Sequence, residues 1–99
     1  MIVVTGVIEV DAEHVWPATT AAAKMVAETE KEDGCITYRF YVDISNTSMF
    51  RVYEEWRDDD ALAAHFRTPH MAEFQNALKG FRILRRELVK FEVTETQAL

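Results

Sequence analysis

The sequence predicts an α+β domain with the element order β-α-β-β-α-α-β, and three observations carry that expectation. Residues Ile2 to Val10 (IVVTGVIEV) form a nearly unbroken β-branched run, the pattern of a central strand covered on both faces. Three further segments, Cys35 to Ile44, Met49 to Arg57 and Arg86 to Thr94, alternate apolar and polar residues with the two-residue period of a strand. Between them lie stretches whose apolar residues recur at helical spacing.

Each element has its own start and stop signals. After Asp11 to Glu13 turn the chain, Val15, Ala18, Ala22, Met25 and Val26 trace one face of a helix running from about His14 to Lys31. Pro17 is tolerated only in a first turn, which sets that helix's start near Val15 or Trp16. Gly34 supplies the left-handed residue that stops it. Ser45-Asn46-Thr47 is a short turn, so the two strands on either side make a hairpin. Asp58, Asp59 and Asp60 place acids at the positive end of a short helix over Ala61 to about Arg67. Thr68 and Pro69 then read as N-cap and first residue of a second helix, striped by Met71, Phe74, Ala77 and Leu78 and ended by Gly80.

The two halves share one element pattern, as in the split β-α-β arrangement of a ferredoxin-like fold. A four-stranded antiparallel sheet with helices on one face leaves its other face bare. A second copy of the chain is the simplest cover for it, so a homodimer is expected. The face carrying Arg39, Tyr41, Arg51, Tyr53 and Glu55 is the expected interface. The domain is expected to span residues 2–93, with 94–99 a flexible tail.

Composition narrows the function classes. At 99 residues the chain holds one domain. Acids outnumber bases 17 to 11 and the net charge is −6, which argues against a nucleic-acid partner, since phosphate backbones need a clustered basic face. A single cysteine, Cys35, excludes an internal disulfide and a cysteine-built zinc site. No apolar stretch approaches the ~20 residues of a membrane span, and the chain opens directly in a strand-like run, so a cytoplasmic protein without a membrane partner is expected.

Candidate chemistry concentrates between residues 54 and 74. Strand parity puts Phe50, Val52, Glu54 and Trp56 on one face, and a carboxylate in such an apolar row is either a base of raised pKa or a structural glutamate with a hidden donor. Trp56 beside it suits stacking on a planar ligand or core packing. His65 borders the buried stripe of the short helix, and His70 sits in the first turn of the next. Glu54, Trp56, His65 and His70 are the candidate catalytic residues, and Tyr38, Val52, Phe66 and Phe74 the candidate substrate contacts. The two histidines lie across a helix break rather than at i, i+4, and no third ligand is implied apart from a distant His14, so no metal site is expected. Without a glycine-rich phosphate loop or a dinucleotide fingerprint, no tightly bound nucleotide cofactor is expected either.

Asp33-Gly34-Cys35 leading into Tyr38, Phe50-x-x-Tyr53-Glu54-x-Trp56, and Ala61-Leu62-x-x-His65 followed by Thr68-Pro69-His70 occur here in order. In these motifs the chain, from Ile2 to about Val93, resembles the antibiotic biosynthesis monooxygenase (ABM) superfamily of dimeric α+β barrels. That resemblance implies a pocket between sheet and helices, floored by Val4, Gly6, Ile36, Tyr38, Val52, Glu54 and Trp56. It also implies cofactor-free oxidation of a small aromatic, a quinol or polyketide phenol. Glu54 or His65 would be the base, Trp56 the stacking wall and His70 or Tyr38 a hydrogen-bond donor. Haem-degrading relatives use an asparagine on the first strand, where this chain has Gly6 between Thr5 and Val7. A sugar-phosphate isomerase shares the fold and would need cations in the pocket, whereas Arg39 and Arg51 have the opposite parity from Trp56. A non-catalytic binding protein could use the same pocket.

Overall fold

The computed structural model describes residues 1–99. Its strands are β1 (Ile2–Val10), β2 (Cys35–Asp43), β3 (Asn46–Trp56) and β4 (Ile83–Glu92), and its helices α1 (Val15–Thr29), α2 (Asp59–His65) and α3 (Pro69–Lys79). The strands form one antiparallel sheet in the order β2-β3-β1-β4, the expected α+β ferredoxin-like arrangement.

Local signals act much as the sequence suggests. Gly34 adopts φ +84°, the left-handed conformation that turns the chain from α1 into β2. Asp58 caps α2 by accepting from the Ala61 N–H at 2.8 Å, and Thr68 caps α3 by accepting from the Met71 N–H at 3.2 Å. The hairpin turn is tighter than expected, because β3 begins at Asn46 and only Ile44 and Ser45 lie outside the ladder. β4 starts earlier than the alternation suggests, at Ile83, and ends at Glu92.

Cross-strand register decides what faces the helices. Lys90, Val4, Glu54 and Tyr38 stand opposite one another across β4, β1, β3 and β2. The next row on that face is Leu88, Gly6, Val52 and Phe40. Ile2, Val4, Tyr38, Val52 and Trp56 then pack with Met25 of α1, Leu62 of α2 and Met71, Phe74 and Leu78 of α3 in the main core. At Gly6 the backbones of β1 and β4 approach so closely that a Cβ would lie 1.9 Å from the Glu87 carbonyl oxygen. Only glycine fits there, and a side chain such as asparagine at position 6 has no room.

One expectation for the pocket floor fails. Ile36 is exposed, not part of the apolar face with Tyr38. The register between β2 and β3 shifts between Cys35 and Thr37, which breaks the strict alternation that would have carried Ile36 inward. Val42 and Ile44, on the same parity, are exposed as well.

Candidate functional site

A cavity of about 510 Å³ opens between the sheet and helices α2 and α3. Val4 and Ile8 of β1, Tyr38 and Phe40 of β2 and Val52 and Glu54 of β3 make the sheet side. Leu62, Phe66, Met71, Phe74 and Gln75 close it from the helical side, and Arg86, Leu88, Val89 and Lys90 of β4 form the remaining edge. Tyr38, Val52, Phe66 and Phe74, the expected substrate contacts, all line this cavity, as does Glu54.

Glu54 is the chemically distinctive wall residue. It is 5% exposed and sits among apolar neighbours because β3 parity sends it inward with Val52 and Trp56. Its carboxylate Oε1 accepts one side-chain hydrogen bond, from the Trp56 indole Nε1–H at 2.9 Å. Burial pushes its pKa up to about 7; the indole N–H opposes that rise, and the negative charge of Glu32 adds to it. A carboxylate so placed can serve as a general base near neutral pH. Burial also drives the Tyr38 phenol pKa upward, so its hydroxyl stays protonated and able to donate.

The other three candidates stand behind the cavity. Trp56 is 0% exposed, so it underpins Glu54 as a donor rather than offering a stacking wall to a ligand. His65 is also 0% exposed, with its ring centroid 4.7 Å from that of Trp56 and 5.5 Å from that of Tyr38. It supports the pocket wall from behind. His65 Nδ1 lies 2.7 Å from Glu32 Oε2, and His70 Nε2 lies 2.7 Å from the same oxygen. Burial lowers the His65 pKa against the opposing pull of Glu32, which favours a neutral ring.

Glu32 is a site residue that the sequence does not single out. It lies in the turn between α1 and β2, 33 positions from His65 and 38 from His70, so no local spacing links the three. Its one sequence signal is its place two residues before Gly34, whose turn brings it against the α2–α3 junction.

With this geometry in place, comparison with known proteins decides the family. The family model for antibiotic biosynthesis monooxygenases matches residues 1–77. The chain belongs to the ABM family. An uncharacterised protein of Synechocystis sp. is 32% identical over 99% of this chain and 67% of its own length. The Escherichia coli protein named probable quinol monooxygenase YgiN is 35% identical over 59% of this chain and 64% of its own length. A Deinococcus radiodurans structure assigned to antibiotic biosynthesis monooxygenases superposes with a TM-score of 0.94 at 24% identity, covering 100% of this chain and 98% of that one, and so shares the fold. No helix of this ABM protein is long and apolar enough to cross a membrane.

Proposed function

We propose that this ABM protein is a cofactor-free monooxygenase of a small phenol or quinol, with Glu54 as the base. The observation that carries the reading is a buried carboxylate, its pKa raised to about 7, in the wall of a mostly apolar 510 Å³ cavity. Family membership and the likeness to the protein named probable quinol monooxygenase support the same reaction class.

The chemistry follows from what oxygen requires. Triplet oxygen reacts readily only with an electron-rich carbanion or phenolate, so the protein's task is to remove a phenolic proton in a dry site. Glu54 takes that proton, and the Trp56 N–H holds the carboxylate in place. Tyr38, which lines the cavity, would offer its hydroxyl as a donor for charge developing on the ring oxygen. The phenol then gives four electrons to one O2. One oxygen atom becomes a new ring carbonyl, and the other leaves as water with two hydrogens of the substrate. No external reductant enters this balance. His65 and His70, expected beside the substrate, act from behind the wall by holding Trp56 and Glu32.

Oxygen uptake tests the proposal. With a panel of quinols and phenols, the protein should consume one O2 per quinone formed, and Glu54→Gln should reduce turnover roughly 10²–10⁴-fold, the share of a general base. Tight binding of the panel without oxygen uptake, unchanged by the substitution, would instead make the chain a binding protein. Arg86 and Lys90 at the β4 edge favour a second reading, a phosphorylated sugar as ligand. Arg86 Nη1 is bonded to Gln75 Oε1 at 3.2 Å and Lys90 Nζ to Asp59 Oδ1 at 2.8 Å, so both cations already have partners.

The protein acts as a homodimer in this proposal. Tyr41 on the helix-free face and Val89 and Phe91 on β4 are each more than half exposed, a set of apolar anchors suited to a partner copy. Light scattering after size exclusion at micromolar concentration should give twice the 11.4 kDa chain mass; a monomer would exclude this arrangement.

A further inference from the structure

We infer that Glu32, His65 and His70 form a binding site for a zinc-class divalent cation, separate from the cavity at Glu54. Sequence spacing implies no third ligand for the two histidines, and the fold supplies it. The ligating atoms of Glu32, His65 and His70 all lie within 4.8 Å of one another. They arrive from three different places: the turn after α1, the last residue of α2 and the second residue of α3. Two imidazoles and a carboxylate are the donor set that zinc and neighbouring first-row ions take, with a fourth position left to water.

Three features of the surroundings suit an ion there. The cluster joins the carboxylate of Glu32 to two imidazoles, and a cation there would offset the carboxylate's charge. A shallow groove of about 330 Å³, lined by Glu32, Asp33, Arg57, Asp60 and Thr68 among others, reaches Glu32 from solvent and gives an entry path on which Asp33 is paired with Arg57 and Asp60 is a further acid. The ring of His65 is fixed by burial against Trp56 and Tyr38, so one ligand is held rigidly while Glu32 and His70, at the edge, can adjust.

The present separations are those of hydrogen bonds, with both imidazole nitrogens 2.7 Å from Glu32 Oε2. Around an ion with ligand bonds of about 2.0–2.1 Å, neighbouring nitrogen and oxygen ligands stand about 2.9–3.4 Å apart. Admitting an ion therefore lengthens each Glu32–imidazole separation by up to about 0.7 Å and brings the two imidazole nitrogens, which lie within 4.8 Å of each other, to the same spacing. The protons that His65 Nδ1 and His70 Nε2 share with Glu32 would then move to the other nitrogen of each ring, His65 Nε2, which has no partner in the buried interior, and His70 Nδ1.

Cobalt(II) and zinc(II), used alone as probes on chelator-treated wild-type protein, test the site. Cobalt should bind once per chain with visible d–d absorption, and zinc should displace it. Zinc should also shift the ring resonances of His65 and His70 in NMR spectra while leaving His14, which pairs with Asp11 elsewhere, unmoved. Losing a direct ligand should cost at least the roughly 10–100-fold in affinity that losing an outer hydrogen-bond partner costs, so Glu32→Gln and His70→Ala should bind cobalt correspondingly more weakly. The NMR readout needs no variant and covers the case in which either fails to fold. Absence of a stoichiometric band, or ring shifts confined to His14, would overturn the site. So would affinity unchanged in both folded variants.

Discussion

Two glutamates separated by 22 positions show how partners, not residue type, set a carboxylate's role. Glu54 is desolvated in an apolar wall with one indole N–H for company, and its pKa is pushed up to about 7. Glu32 meets two imidazoles at 2.7 Å on one oxygen, at the rim of the fold. Burial without compensation makes a group reactive, whereas burial with donors makes it an anchor. On the proposed reading the same chain keeps a base in its pocket and a clamp on its helix junction, joined through the tilted, contacting rings of Trp56 and His65.

The widest gap expected between the two is in turnover. Beside the loss expected for Glu54→Gln, Glu32→Gln in the same oxygen-uptake assay should lose no more than about tenfold, well short of a base's contribution. Equal losses would mean that Glu32 acts on the substrate through the histidines and that the division of roles is wrong.

Stability should separate them with opposite signs. Glu32→Ala leaves the N–H groups of His65 and His70 without their acceptor and should destabilise the fold by about 1–3 kcal/mol at pH 7.5. Glu54→Gln removes a carboxylate whose charged form is disfavoured and should leave the fold at least as stable at that pH. Urea denaturation of both variants measures the difference, and a large loss in Glu54→Gln would make Glu54 an ionised anchor. The smallest effect is expected at Thr68, which caps α3 just before His70. Thr68→Ala should cost about 0.5–2 kcal/mol and leave turnover per folded molecule unchanged.

Much of this arrangement is legible in the sequence. Alternation placed Glu54 inward beside Val52 and Trp56, and capping chemistry placed Thr68 and Gly34, because these signals act within a few residues of backbone. Ile36 was misplaced because a register shift beside Cys35 is a property of the β2–β3 pair and leaves no mark on the alternation of β2 alone. Glu32 was passed over for a related reason: its partners are remote in sequence, and only the Gly34 turn and the α2–α3 junction bring them together. The β4 side of the cavity, with Arg86, Leu88, Val89 and Lys90, was missed because it depends on which strand pairs with β1.

The claim at the centre of this account is that Glu54 titrates near neutrality, and its own ionisation tests that most directly. A folded-state carboxyl pKa raised from 4.5 to about 7 contributes stability that is complete below the unfolded value and lost as pH rises through the folded one. Across that window the wild type should lose roughly 3 kcal/mol relative to Glu54→Gln, at 1.36 kcal/mol per pKa unit, and the difference should then stay level at higher pH. Carboxyl carbon NMR of the wild type, with the resonance assigned by its absence in Glu54→Gln, reads the midpoint itself. A midpoint near 7 is the expected result; one at or below 4.5 would show an ordinary ionised glutamate and contradict the assignment of Glu54 as the base.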